Sequence, residues 1–332
     1  MPEPIIPRDT WSARLTPLLE GSWWEARRQI MLASRMSADD DVWLLEDPHH
    51  PGDPAQKVDQ HMHQHAASKL HAAIPGIQVF GEEAPMVQLL LSAHFPYVAY
   101  LDAIDGSAQA WAMPGAWGQV LIVQEFEGVG EDGRPRCAPR YLGVVDAEGG
   151  TTVFDASLDY VAVDMVDQAF EGGQVFDDEL ANEGDTIYEV TEQLTALVGG
   201  YKPKWWEPFV ELRQALLREM PSAQVFNTAG APVTRKVIQN ADNVVIQLQA
   251  SSLWDGAGAA LIARAGGHVI PLGQVQPVTR DEVLAWWSHL GYEADPDGDG
   301  KKQRVAKLVP PFVAGMRLDR VQSVARLLMH AE

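Results

Sequence analysis

Between residues 9 and 36 apolar side chains recur at three- and four-residue spacing: Trp11, Leu15, Leu18, Leu19, Trp23, Ile30 and Leu32. Asp9 or Thr10 stands where a cap is needed, so the stretch predicts an amphipathic helix. The pattern then breaks. Pro48, Pro51 and Gly52 interrupt the segment from Asp39 to Asp53, which predicts a short strand or loop. A second helix is predicted over about Val58 to Ala73, carrying His61, His63, His65 and His71. Only His61 and His65 share a helical face, so the histidines read as a solvent-facing polar stripe rather than a zinc site.

From Phe95 the period shortens. Val98–Leu101, Gly118–Phe126, Tyr141–Val145 and Thr151–Phe154 are β-branched and apolar runs bounded by Gly and Pro. They predict consecutive strands, antiparallel where connections are short, with Glu127 to Pro139 as a hairpin connection. Asp155 to Gln193 shows little sustained periodicity. Beyond it strand and helix alternate: strands at Thr195–Val198, Gln224–Phe226, Asn243–Leu248 and His268–Pro271, and helices at Pro208–Glu219, Pro232–Gln239 and after Trp254. The expected organisation is an N-terminal α+β half (1–155), an acidic connecting segment (156–194), a C-terminal α/β half (195–272) and a helical extension (273–332) with helices at Asp281–His289 and Leu318–Met329.

Composition narrows the classes. A chain of 332 residues with 46% hydrophobic residues can bury a substantial core. No apolar run reaches the roughly 18–20 residues needed to cross a bilayer, and Met1-Pro2-Glu3-Pro4 lacks a basic segment followed by an apolar one, so neither membrane insertion nor export is expected. The single cysteine, Cys137, excludes an intramolecular disulfide and a cysteine-based zinc cluster and makes a reducing cytoplasm the default location. With 46 acidic against 25 basic residues the formal charge is −21, which disfavours nucleic acid as a partner.

Candidate chemistry lies in three acidic stretches. Tyr97-Val98-Ala99-Tyr100-Leu101 runs as a strand into Asp102-Ala103-Ile104-Asp105-Gly106-Ser107: two hard oxygen ligands, then a tight turn rich in N–H groups. Upstream, Val79-Phe80-Gly81 ends in Glu82 and Glu83; downstream, Leu253-Trp254-Asp255-Gly256-Ala257-Gly258 opens a helix of small residues. Asp295 to Gly300 imitates the first half of a calcium loop, but the twelfth position is Ala306, so it reads as an exposed acidic connection.

Taken in order, these stretches resemble the inositol monophosphatase superfamily of metal-dependent phosphomonoesterases, which carries Gly-Glu-Glu, Asp-Pro-Ile-Asp-Gly-Thr and Trp-Asp-x-Ala-Gly segments. Ala103 stands in place of the family's Pro and Ser107 in place of its Thr; the resemblance covers residues 10–271. It implies an α/β (α+β) fold, a layered α-β-α-β-α sandwich. It further implies two or three Mg2+ ions, inhibition by lithium, a homodimer, and a small phosphorylated metabolite as partner. By the same resemblance Glu82, Asp102 and the carbonyl of Ile104 hold a first ion, and Asp102, Asp105 and Asp255 a second. Gly106 and Ser107 receive the phosphate, and Asp59, in a segment similar to the family's Asp-x-Val-Thr-x-Thr-Asp, orients the attacking water with the Ser107 hydroxyl. Gly200, Tyr201 and Lys202 border the leaving-group pocket. Gln247 and Gln249 occupy a stretch in which the inositol enzymes carry an acid, which counts against simple inositol recognition, and Lys202 and Lys204 beside Tyr201, Trp205 and Trp206 suit a second anionic group, so a substrate carrying one is expected over inositol 1-phosphate. Inositol phosphates, sugar phosphates or bisphosphates, and nucleotide 3′-phosphates are the candidate substrates. A catalytically silent relative that binds a phosphorylated ligand or a partner protein is the alternative.

Overall fold

The computed structural model describes residues 10–33, 44–46, 54–81, 96–106, 117–131, 133–158, 160–165, 174–176, 195–199, 206–228, 230–294 and 303–329. Helix α1 (Trp11–Ala33) buries Leu15, Leu19, Trp23, Ala26 and Ile30 along one stripe. Its cap is Thr10, whose Oγ1 accepts from the Ala13 amide at 3.2 Å, and the distant carboxylate of Asp155 takes the Ser12 amide at 2.6 Å. A short antiparallel pair, β1 (Leu44–Glu46) and β2 (Pro54–Gln56), precedes α2 (Lys57–Ala73), which buries Val58, Met62, Ala66 and Leu70 at four-residue intervals.

A seven-stranded sheet runs in sequence order: β3 (Gln78–Phe80), β4 (Tyr97–Asp105), β5 (Gly118–Val129), β6 (Pro135–Asp146), β7 (Gly150–Asp155), β8 (Tyr160–Met165) and β9 (Gln174–Phe176). Among the described residues of this sheet, only β3 and β4 pair in parallel. Strand β5 runs to Val129 and β6 begins at Pro135, so most of the stretch expected as a hairpin loop belongs to the strands. The segment expected to be purely connecting, 156–194, contributes β8 and β9; their pairing is set by the neighbouring strand edge, which no local periodicity announces.

The second sheet has the order β11-β10-β12-β16-β13. Its elements arrive as β10 (Thr195–Gly199), α3 (Trp206–Glu219), β11 (Gln224–Thr228), a 3-10 turn (Ala231–Val233), α4 (Thr234–Gln239), β12 (Asn243–Gln247), α5 (Ala257–Arg264), β13 (His268–Pro271), α6 (Arg280–Ala285), a 3-10 turn (Trp286–Ser288), β14 (Tyr292–Ala294), β15 (Gln303–Val305), β16 (Phe312–Gly315) and α7 (Leu318–Met329). The tail expected as a helical extension is thus corrected: besides its helices it supplies the β14–β15 hairpin and β16, an inner strand paired antiparallel to both β12 and β13. Asp295 to Gly300 lies outside the described residues.

Five layers pack around three cores, the central one filling both sides of the middle helix layer. Ala99, Leu101, Leu121, Val123, Tyr141 and Val145 face α1 and α2. The alternate residues Val98, Tyr100, Val120, Ile122, Leu142 and Val144 face α4, α5 and the second sheet. That sheet turns Val245, Phe312 and Ala314 inward and Val244, Ile246 and Val313 toward α3 and α7. The order is α-β-α-β-α, as expected. Among the described residues no helix is long and apolar enough to cross a membrane.

Candidate metal centre

Asp102 and Asp105 end β4. In a regular strand residues three apart point to opposite faces, so the motif alone would separate them. The pairing with β5 resolves this: Asp102 lies opposite Val120 and Asp105 opposite Gly118, so Ala103 and Ile104 together face the single residue Gln119. This one-residue bulge restores both carboxylates to one side. Gln119 holds it, donating from Nε2 to the Ala103 carbonyl at 2.7 Å, and the Ile104 amide donates to Asp102 Oδ1 at 3.2 Å. Gly106 follows with φ +84, the left-handed conformation that glycine adopts without strain.

Asp255 arrives from 150 residues away. Its neighbour Trp254 is buried and stacks on Tyr100 of β4, with ring centroids 6.2 Å apart, so one aromatic pair aligns the two carboxylate-bearing segments. Gly256, with no side-chain cap bond, precedes α5; Asp255 therefore is not spent as the helix cap. Gly230 sits across from it, where a Cβ would stand 2.7 Å from the Asp255 carbonyl oxygen, and the next amide, Ala231 N–H, donates to Asp105 Oδ2 at 3.2 Å. The outcome is a cluster in which carboxylate oxygens of Asp102, Asp105 and Asp255 lie within 4.8 Å of one another. Asp102 and Asp105 are each 7% exposed and Asp255 is half-buried. Three carboxylates that close repel one another, and an all-oxygen donor set of this kind suits a hard divalent cation.

Behind the cluster, His63 of α2 is buried and donates to the Leu101 carbonyl, one residue before Asp102; burial pushes its pKa down to about 4, so the ring is neutral at pH 7. Gly81 packs flat on the same ring, where a Cβ would meet His63 Nδ1 and Cε1 at 2.5 Å. Tyr292 of β14 donates to the Gly81 carbonyl at 3.2 Å, and the Gly291 amide donates to the buried Tyr100 hydroxyl at 3.0 Å. The expectation of a solvent-facing histidine stripe is corrected at this position: His61 and His71 are exposed, but His63 is built into the support of β3 and β4.

Of the residues expected at the site, the structure brings together Asp102, Asp105 and Asp255 and puts Gly106 beside them. The Ile104 side chain belongs to the core against α1 and α2, leaving only its backbone to the site. Asp59 is 4% exposed in the first turn of α2, four residues before His63, and is not a member of the three-carboxylate cluster. Gln247 ends β12, level with Gly199 of β10, and its Oε1 lies 3.6 Å from the Cβ position of Gly230; Gln249, half-buried, follows two residues on. Glu82, Ser107, Gly200, Tyr201 and Lys202 lie outside the described residues. Sequence reasoning missed Gln119, whose signal is a buried amide inside an apolar strand. It also missed Gly230, Tyr292 and Lys307, which carry no local signal at all.

No protein-family model matches this chain, and no curated protein matches it in sequence. Solved structures do match. The IMPase of Thermotoga maritima superimposes over 96% of this chain and 99% of that one, with a TM-score of 0.55 at 13% identity. SuhB of Mycobacterium tuberculosis gives 0.55 at 16% identity over 96% and 98% of the two chains. CysQ of Bacteroides thetaiotaomicron, a bacterial member of the inositol monophosphatase family, gives 0.52 at 14% identity over 90% and 96%. At 96% coverage the likeness runs past residue 271, where the sequence resemblance ends. The chain has the inositol monophosphatase fold.

Proposed function

We propose that this protein is a Mg2+-dependent phosphomonoesterase acting on a small phosphorylated metabolite. The observation that carries the reading is the convergence of Asp102, Asp105 and Asp255 within 4.8 Å, from segments that the fold must bring together. Asp102, Asp105 and Asp255 would hold Mg2+, with Glu82 and the Ile104 carbonyl completing the donor set. When bound, the ions supply positive charge against the phosphate and the departing oxygen. The chain's own part is positioning. The turn at Gly106 offers its amide, with that of Ser107, to a phosphate oxygen. Asp59 and the Ser107 hydroxyl hold and orient the water for in-line attack.

The rest of the substrate is proposed to lie over the carboxyl ends of the parallel strands β10, β11 and β12. Gly199, Thr228 and Gln247 end these strands at one level, and Gly230 and Asp255 meet just beyond them. Such an edge is where open parallel sheets receive ligands. Gly200, Tyr201 and Lys202 follow Gly199 directly, which supports their assignment to the leaving-group side and the preference for a second anionic group.

The test is phosphate release from inositol 1-phosphate, fructose 1,6-bisphosphate, adenosine 3′,5′-bisphosphate and p-nitrophenyl phosphate, each with Mg2+, with chelator, and with millimolar lithium. Release that needs Mg2+ and is inhibited by lithium supports the proposal. Full activity in excess chelator, or no Mg2+-dependent release from any ester, refutes it.

A further inference from the structure

Lys307 is placed beside the carboxylate cluster by the tail of the chain. Its Nζ lies 4.0 Å from Asp255 Oδ2. The residues around it are anchored: Ala306 donates its amide to the Gly291 carbonyl at 2.8 Å, and Ser251 and Val309 exchange two backbone hydrogen bonds of 2.8 and 3.2 Å. Val309 is fully buried against Gly256, where a Cβ would meet its methyl groups at 2.6 Å. The Lys307 backbone is therefore tied to the turn that carries Asp255, while its side chain stays 56% exposed.

This placement is poorly explained by stability or by cation binding. An exposed ion pair at such a distance contributes little, and a fixed positive charge next to a proposed cation ligand opposes the cation. An ammonium group offers three donors on a flexible stem, and a phosphate oxygen is a stronger acceptor for them than a carboxylate already committed to an ion. We propose that Lys307 is a phosphate-binding residue: it rests against Asp255 as a loose ion pair and donates from Nζ to a non-bridging oxygen of the incoming phosphate. The inference rests on the phosphomonoesterase reading and adds to it a binding residue from the chain's tail. Because it addresses the reacting phosphate itself, its effect is the same for every phosphomonoester.

The test compares wild type with Lys307→Ala and Lys307→Arg, using calorimetry with Mg2+ alone and then with inorganic phosphate in saturating Mg2+, and KM for p-nitrophenyl phosphate. Lys307→Ala is expected to weaken phosphate binding roughly tenfold, the loss of one charge-assisted hydrogen bond, and to raise KM in parallel. Mg2+ binding is expected to tighten by up to about fivefold as the opposing charge is removed. Lys307→Arg keeps the charge and restores phosphate binding at least in part. Unchanged phosphate affinity in Lys307→Ala overturns the proposal, as does a joint loss of Mg2+ and phosphate binding, which marks a merely structural role. If the wild type releases no phosphate from any ester, the phosphomonoesterase reading falls, while the phosphate titration still judges Lys307 separately.

Discussion

Replacing Gly230 with alanine tests whether two chain segments close on each other to assemble the carboxylate cluster proposed to hold Mg2+. The backbone at Gly230 has φ −70 and ψ −75, a conformation any residue adopts, so alanine would by itself stabilise the protein by about 0.4–1 kcal/mol through the unfolded state. The surroundings oppose it. The added Cβ would stand 2.7 Å from the carbonyl oxygen of Asp255, which is backbone and cannot rotate away. Restoring an ordinary contact requires a separation of the segments by about 0.5–1 Å. Overpacking of this kind costs about 1–3 kcal/mol, so the net expectation is a loss of about 1 kcal/mol and a fall in Tm of about 2 °C. The effect on the ion should be larger. Ala231 N–H holds Asp105, and Asp255 is a member of the same carboxylate cluster, so the same movement spreads two of the three carboxylates. Mg2+ demands near-ideal octahedral geometry, and disturbing groups that orient its ligands costs roughly 10–100-fold in affinity. Calorimetric titration of Mg2+ into Gly230→Ala, with Tm measured alongside, reads both effects. Gly21→Ala in α1 is the control: its Cβ meets nothing nearer than Lys69 Nζ at 3.9 Å, so it should stabilise the helix and leave Mg2+ binding unchanged. Wild-type Mg2+ affinity and Tm in Gly230→Ala would falsify the described junction.

Two further expectations separate roles within the site. Asp102→Asn should abolish turnover and weaken Mg2+ binding, whereas Asp59→Asn should lower the rate roughly 10²-fold or more while sparing Mg2+ affinity; equal loss of Mg2+ binding in both variants argues against a water-orienting Asp59. His63 should make stability depend on pH. The unfolded chain protonates this ring near 6.5 and the folded chain only near 4, so between these values the unfolded state binds more protons and acidification favours it. The contribution is full above about pH 6.5 and is lost as pH falls toward 4, amounting to about 3 kcal/mol. Urea denaturation of wild type and His63→Gln between pH 7 and pH 4 should give converging stabilities, and parallel curves would refute the buried neutral ring.

What the sequence determined by itself was local. Four-residue spacing from Leu15 to Trp23 and from Val58 to Leu70 specified two helices, because one stripe of a helix must be buried whatever covers it. The continuous apolar run Val98–Leu101 specified a strand buried on both faces, and the order of the Gly81, Asp102–Ser107 and Trp254–Asp255 stretches pointed to the layered fold and to the three carboxylates that it brings together. Tertiary structure decided the rest. Asp102 and Asp105 share a face only because β5 accepts a bulge and Gln119 secures it. Strand β16 enters the middle of a sheet built from residues far upstream, and β8 and β9 form on an edge that β7 provides. Lys307 reaches Asp255 only because Val309 pairs with Ser251. Each of these depends on pairing energies between segments distant in the chain, and such pairings leave no period in the residues that make them.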